Sequence, residues 1–134
     1  MVSGTRDDTR GEGHGAVDVL VVDDDEDVRA STGEIISSGG YTVAEAADGL
    51  EALELLGHLD VGIIVLDIQM PRLGGFALLA RLDHPPPTVI LSAFGLDEAG
   101  DEETKALVHL QKPTTPEELL LTIAGAIGRP GDSA

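Results

Sequence analysis

Three apolar runs in this chain each stop at a residue that can do chemistry. Val17–Val22 is apolar except for Asp18 and runs straight into Asp23-Asp24-Asp25. Val61–Leu66 stops at Asp67, and Thr88–Leu91 stops at Ser92. Short continuous runs rich in Val, Ile and Leu suit strands buried on both faces, which is the pattern of a parallel sheet.

Helical signals fill the spaces between the runs. Val28, Ala30, Ile35 and Ile36 mark an amphipathic helix that ends at Gly39-Gly40. Tyr41–Ala44 reads as a short second strand, and Leu50, Leu53, Leu55, Leu56 and Leu59 predict a helix after Asp48-Gly49. Phe76–Leu82 reads as a short helix, His84-Pro85-Pro86-Pro87 as a stiff connector, and Asp97–Lys105 as an acidic helix weakened by Gly100. Leu107–Leu110 is the expected fifth strand. The last helix has Thr115 as N-cap, Pro116 at its first position, Glu117 and Glu118 in its first turn, and an apolar face of Leu119, Leu120, Ile123, Ala126 and Ile127.

Five strands alternating with five helices predict a doubly wound α/β fold. The expected architecture is a flavodoxin-like three-layer sandwich, a five-stranded parallel sheet with helices on both faces. The expected domain covers residues 17–127, with a disordered N-terminal tail over 1–16 and a C-terminal tail over 128–134. No second domain is expected after the last helix.

Composition narrows the partners. Twenty-five Asp and Glu against eight Lys and Arg give a formal net charge of −17. Such a chain repels phosphate backbones and anionic headgroups, so neither direct nucleic-acid nor membrane binding is expected. With aromatics at 2% there is no base-stacking platform. The absence of cysteine excludes disulfides, thiol nucleophiles and thiolate metal sites. No apolar run approaches the roughly 18 residues of a membrane span, and residues 1–16 carry no secretory h-region. The expected compartment is the cytoplasm.

Ligands of doubly wound folds bind at the carboxyl ends of the strands. There the sequence puts Asp23 and Asp24, Asp67, Ser92-Ala93, and Lys112-Pro113. Carboxylates crowded to about 4 Å repel by roughly 4 kcal/mol per pair at an effective dielectric of 20, so they must protonate or hold a cation. Oxygen-only ligands favour Mg²⁺ or Mn²⁺ over zinc, and such a site keeps open positions for a phosphoryl group. One carboxylate can then act as nucleophile, while Ser92 and Lys112, one of only two lysines, contact the phosphoryl oxygens.

Val21-Val22-Asp23-Asp24, Asp67 with Met70-Pro71, Ser92-Ala93 and Lys112-Pro113 together resemble the receiver domain of chemotaxis-type, two-component response regulators. The resemblance spans about residues 17–127. It implies Asp67 as phosphoacceptor and Asp24 as a direct metal ligand. Asp23 would bind the metal largely through water, and the Gln69 backbone carbonyl would supply a third protein oxygen. It also implies switch roles for Ser92 and His109, and phosphoryl binding by Ser92, Ala93 and Lys112. The implied partners are a sensor histidine kinase or phosphotransfer protein and a downstream protein target, with a homodimer possible. The chain would catalyse only its own phosphorylation and dephosphorylation. It departs from the family pattern at Gly74 before Gly75, at Thr114 where Phe is usual, and in short stretches around the third and fourth helices.

Other readings use the same residues. Asp23-Asp24-Asp25 could serve as the D-x-D motif of a small aspartate-nucleophile phosphatase, which would need a covering cap. A receiver-like module that binds partners without being phosphorylated is a third reading. An EF-hand drawn through Asp23, Asp25, Asp27 and Glu34 fails where Val28 replaces the required Gly. Asp25, Glu26 and Asp27 read instead as helix N-terminal charges, and Asp97–Glu103 as a solvated face.

Overall fold

The computed structural model describes residues 15–67, 78, 80–82, 85–92, 108–111 and 114–129. In chain order they form β1 (Gly15–Val22), α1 (Glu26–Ser38), β2 (Val43–Ala46), α2 (Gly49–Leu56) and β3 (Leu59–Asp67). After these come β4 (Thr88–Ser92), β5 (Val108–Gln111) and α3 (Pro116–Ile127). All five strands are parallel, in the order β2-β1-β3-β4-β5. This is the flavodoxin-like doubly wound order, in which β1 and β3 flank the point where the winding reverses.

The two-residue period of the strands splits the core into two layers. Val19 and Val21 of β1 and Ile63 and Val65 of β3 pack with Ile36 of α1 and Leu119 and Ile123 of α3. Leu20 and Val22, with Ile64 and Leu66, pack on the opposite face with Ala52 of α2 and Leu78. These strand residues are at most 1% exposed, so the uninterrupted apolar runs are explained by burial on both sides. Thr88 is fully buried as well, and its hydroxyl donates to the Pro86 carbonyl at 2.9 Å.

Several boundaries differ from the sequence expectation. β1 begins at Gly15, two residues inside the expected tail, because Gly15 and Ala16 pair with Leu59 and Asp60 of β3. Leu59 is therefore a strand residue and not the last residue of a helix. α2 ends at Leu56, where the Gly57 amide donates back to Leu53 and Glu54. β2 starts at Val43 rather than Tyr41. Tyr41 is instead a core residue, 6% exposed, whose hydroxyl donates to the Gly128 carbonyl at 2.9 Å. That bond ties down the first residue of the expected C-terminal tail. Gly40, at φ 100°, makes the turn between α1 and this tyrosine.

Asp18, the one break in the first apolar run, has a local partner. Its carboxylate accepts from the Thr42 amide at 2.9 Å, and its own amide donates to the Thr42 hydroxyl at 2.8 Å. β4 extends to Ser92 and β5 runs Val108–Gln111, close to expectation. Leu78 and Ala80 are helical. The rest of the expected Phe76–Leu82 helix, apart from Arg81 and Leu82, and all of Asp97–Lys105 lie outside the described residues.

Candidate functional site

The sheet register places two of the acids. β1 and β3 are neighbours, and their last recorded pair is Val22 opposite Leu66. Asp23 and Asp67 are the next residue on each side. Neighbouring strands lie roughly 4.8 Å apart, so a shared register position at a strand end brings two side chains to nearly that separation. Carboxylate oxygens of Asp23, Asp24 and Asp67 do lie within 4.8 Å of one another. Asp23 is 3% exposed, Asp67 is half-buried and Asp24 is open to solvent.

The chain after β1 is held at every turn. The Asp23 amide continues the sheet by donating to the Ala46 carbonyl at 3.1 Å. The Asp23 carboxylate accepts from the Asp25 amide at 2.9 Å, closing a tight turn. Asp25 is then the N-cap of α1, its carboxylate accepting from the amides of Asp27 and Val28. Glu26 and Asp27 stand in the first turn, where the helix dipole favours negative charge. The acidic run thus divides into two cluster acids followed by three helix-start acids, as expected.

Two unit charges 4.8 Å apart repel by about 3 kcal/mol at an effective dielectric of 20, before screening. Arg29 lies beside this loop, bonded to its backbone and to Glu45. Its guanidinium donates to the Asp23 backbone carbonyl at 2.9 Å and pairs with Glu45 at 3.2 Å. An all-oxygen set of three carboxylates, one of them solvent-facing, fits a hard divalent cation such as Mg²⁺ that keeps part of its water shell.

The other expected site residues are placed only in part. Ser92 closes β4 opposite Gln111, and His109 stands in β5 opposite Ile90, each described through its backbone. The register puts Ser92 one position past Leu91, the partner of Asp67, so it shares the carboxyl edge of the sheet. Gln69, Ala93 and Lys112 lie outside the described residues. Arg29 and Glu45 were not singled out from the sequence. A single arginine one turn into a helix whose start is crowded with acids, where the dipole disfavours a cation, was the available signal.

Comparison with known proteins agrees with this geometry. Residues 19–124 match the family model described as the response regulator receiver domain. The response regulator MprA of Mycobacterium ulcerans is 37% identical over 125 residues, covering 85% of this chain and 51% of that protein. Response regulator RR06 of Streptococcus pneumoniae is 35% identical over 109 residues, covering 80% and 50%. The chain thus spans about half the length of the curated relatives it matches. Among solved structures, the Francisella response regulator 1452 receiver domain superposes with a TM-score of 0.76 at 30% identity, covering 83% of this chain and 96% of that one. The receiver domain of NtrX from Brucella abortus gives 0.76 at 32%, covering 82% and 98%. A flavodoxin-like sheet with paired strand-end carboxylates, matched along nearly its whole described length, makes this chain a member of the response regulator receiver family of two-component signalling.

Proposed function

We propose that this receiver takes a phosphoryl group onto Asp67 and that Asp23, Asp24, Asp67 and the Gln69 carbonyl hold the Mg²⁺ required for it. The observation that carries the reading is the convergence of three carboxylates within 4.8 Å at the ends of β1 and β3. Asp67 is the member suited to attack. It is half-buried, which leaves it reachable while limiting its hydration, whereas Asp23 is 3% exposed and accepts from the Asp25 amide. The same burial disfavours Asp23 as the nucleophile of a phosphatase.

The donor is the phosphohistidine of a sensor kinase or phosphotransfer protein. A carboxylate oxygen of Asp67 forms a bond to phosphorus as the phosphorus–nitrogen bond breaks, and the imidazole leaves with a proton from solvent. Bound Mg²⁺ supplies charge neutralisation for the crowded oxygens. Ser92 and Lys112 contribute a hydroxyl and an ammonium to the new phosphoryl oxygens. Attack by water on the aspartyl phosphate returns the carboxylate and releases inorganic phosphate. Ser92 and His109 report the phosphorylated state by shifting a two-state equilibrium that a downstream protein reads.

The test is incubation with Mg²⁺ and a small acyl phosphate, followed by intact mass. One added phosphoryl group, stable in acid, labile in base and absent from Asp67→Asn, is the expected result. An unlabelled wild-type protein, or an Asp67→Asn variant that labels equally, contradicts the reading.

A further inference from the structure

We infer that Arg29, paired with Glu45, is a positioning residue that fixes the Asp23–Asp24 peptide so that the Asp24 carboxylate is held toward Asp67. This rests on the metal-site reading above and deepens it. Asp23 has its amide bonded to Ala46 of β2 and its carboxylate to the Asp25 amide. Its carbonyl oxygen accepts from the Arg29 guanidinium at 2.9 Å. A carbonyl and the amide that follows it share one rigid plane, so fixing the Asp23 carbonyl also fixes the direction of the Asp24 N–H and Cα. Asp24 is exposed, so burial does little to fix its side chain. The backbone on either side constrains where it points, with Arg29 acting before it and the Asp25 N-cap after it.

Glu45 holds the guanidinium in place for this. Arg29 Nε lies 3.2 Å from a Glu45 carboxylate oxygen, leaving Nη1 for the carbonyl. The arginine side chain is 17% exposed, against 43% for the glutamate, so the contact lies at the protein surface but largely under it on the arginine side. Gly33, one turn further along α1, makes the room. A Cβ there would come within 3.0 Å of the other Glu45 oxygen. A planar fork with two aligned donors performs both contacts at once, whereas the single ammonium of a lysine cannot span them.

Charge and geometry make opposite predictions here. Removing Arg29 leaves Glu45 unpaired and the surroundings more negative, which by electrostatics alone strengthens cation binding. Loss of positioning weakens it. Groups that orient metal ligands typically change affinity by 10- to 100-fold, and this solvent-facing example belongs at the lower end, roughly tenfold.

The test is Mn²⁺ titration of the wild-type chain, Arg29→Gln, Arg29→Lys and Glu45→Gln, with hydrogen exchange at the Asp24 and Asp25 amides measured on the cation-free proteins. Expected is a roughly tenfold weaker affinity for both Arg29 variants, a smaller loss for Glu45→Gln, and faster exchange at the two amides in all three. Unchanged or tighter Mn²⁺ binding in Arg29→Gln overturns the inference. Should Arg29→Gln fail to fold, Arg29→Lys at constant charge carries the same decision. A wild-type chain that binds no Mn²⁺ defeats the metal-site reading itself. In that case unchanged amide exchange in the variants overturns the positioning role, and faster exchange supports it.

Discussion

Asp23 and Asp67 stand one residue beyond Val22 and Leu66, the last pair recorded between the two central strands. Their proximity is thus a consequence of sheet register and not of a loop that happens to fold back. Two buried apolar runs of β1 and β3 carry their terminal carboxylates to one edge. Any slip in pairing would break the core and the site together, because a one-residue shift sends each strand residue to the other face.

Asp67→Asn is expected to make the cation-free protein more stable. It removes one of three charges whose oxygens lie within 4.8 Å of one another. After solvent screening the gain is on the order of 1 kcal/mol. Denaturant melts with a chelator present would show a higher midpoint for the variant. Added Mg²⁺ would raise the wild-type unfolding free energy by about 2.7 kcal/mol at a hundredfold excess over Kd, moving its midpoint up, and would stabilise the variant much less.

Gly62→Ala is expected to destabilise the fold by about 1–3 kcal/mol. A Cβ at this position would sit 2.9 Å from the Asp18 carbonyl oxygen and against Ile127 of α3. Backbone of β1 cannot retreat without disturbing the pairing that positions Asp23. The denaturation midpoint should fall with the m-value unchanged.

Tyr41→Phe removes the bond from the buried hydroxyl to the Gly128 carbonyl while keeping the ring. Loss of one such bond costs about 1 kcal/mol, and the effect should concentrate at the end of α3. Hydrogen exchange at the last amides of α3, with those of α2 as internal reference, would show it.

Asp25→Ala removes the cap of α1, whose carboxylate accepts from Asp27 and Val28 at 3.0 and 3.1 Å. The expected loss is about 1 kcal/mol, largely restored in Asp25→Ser, and thermal melts separate the two.

Much of this was legible because local rules and tertiary structure agree. Val61–Leu66 reads as a buried strand from its composition, and Thr115-Pro116 reads as a helix start; the Thr115 hydroxyl does accept from the Glu118 amide. The strand-end acids were legible because the fold class says where strand ends converge. What escaped depends on partners distant in sequence. Gly15 and Ala16 have little strand preference of their own and are recruited by Leu59 and Asp60. Leu59 matches a helical period only by coincidence, and Tyr41 is apolar enough for a strand but is claimed by the core and by Gly128. Arg29 and Glu45 are sixteen residues apart and meet only because α1 packs on β2.

The central claim is that Asp67, and neither Asp23 nor Asp24, carries the phosphoryl group. The most direct measurement is borohydride reduction of protein treated with Mg²⁺ and acyl phosphate, followed by peptide mass mapping. An aspartyl phosphate is reduced to homoserine, while a free carboxylate is not. Homoserine in place of Asp67, with Asp23 and Asp24 unchanged, is the predicted result. Reduction at Asp23 or Asp24, or no reduction anywhere in the chain, would contradict it.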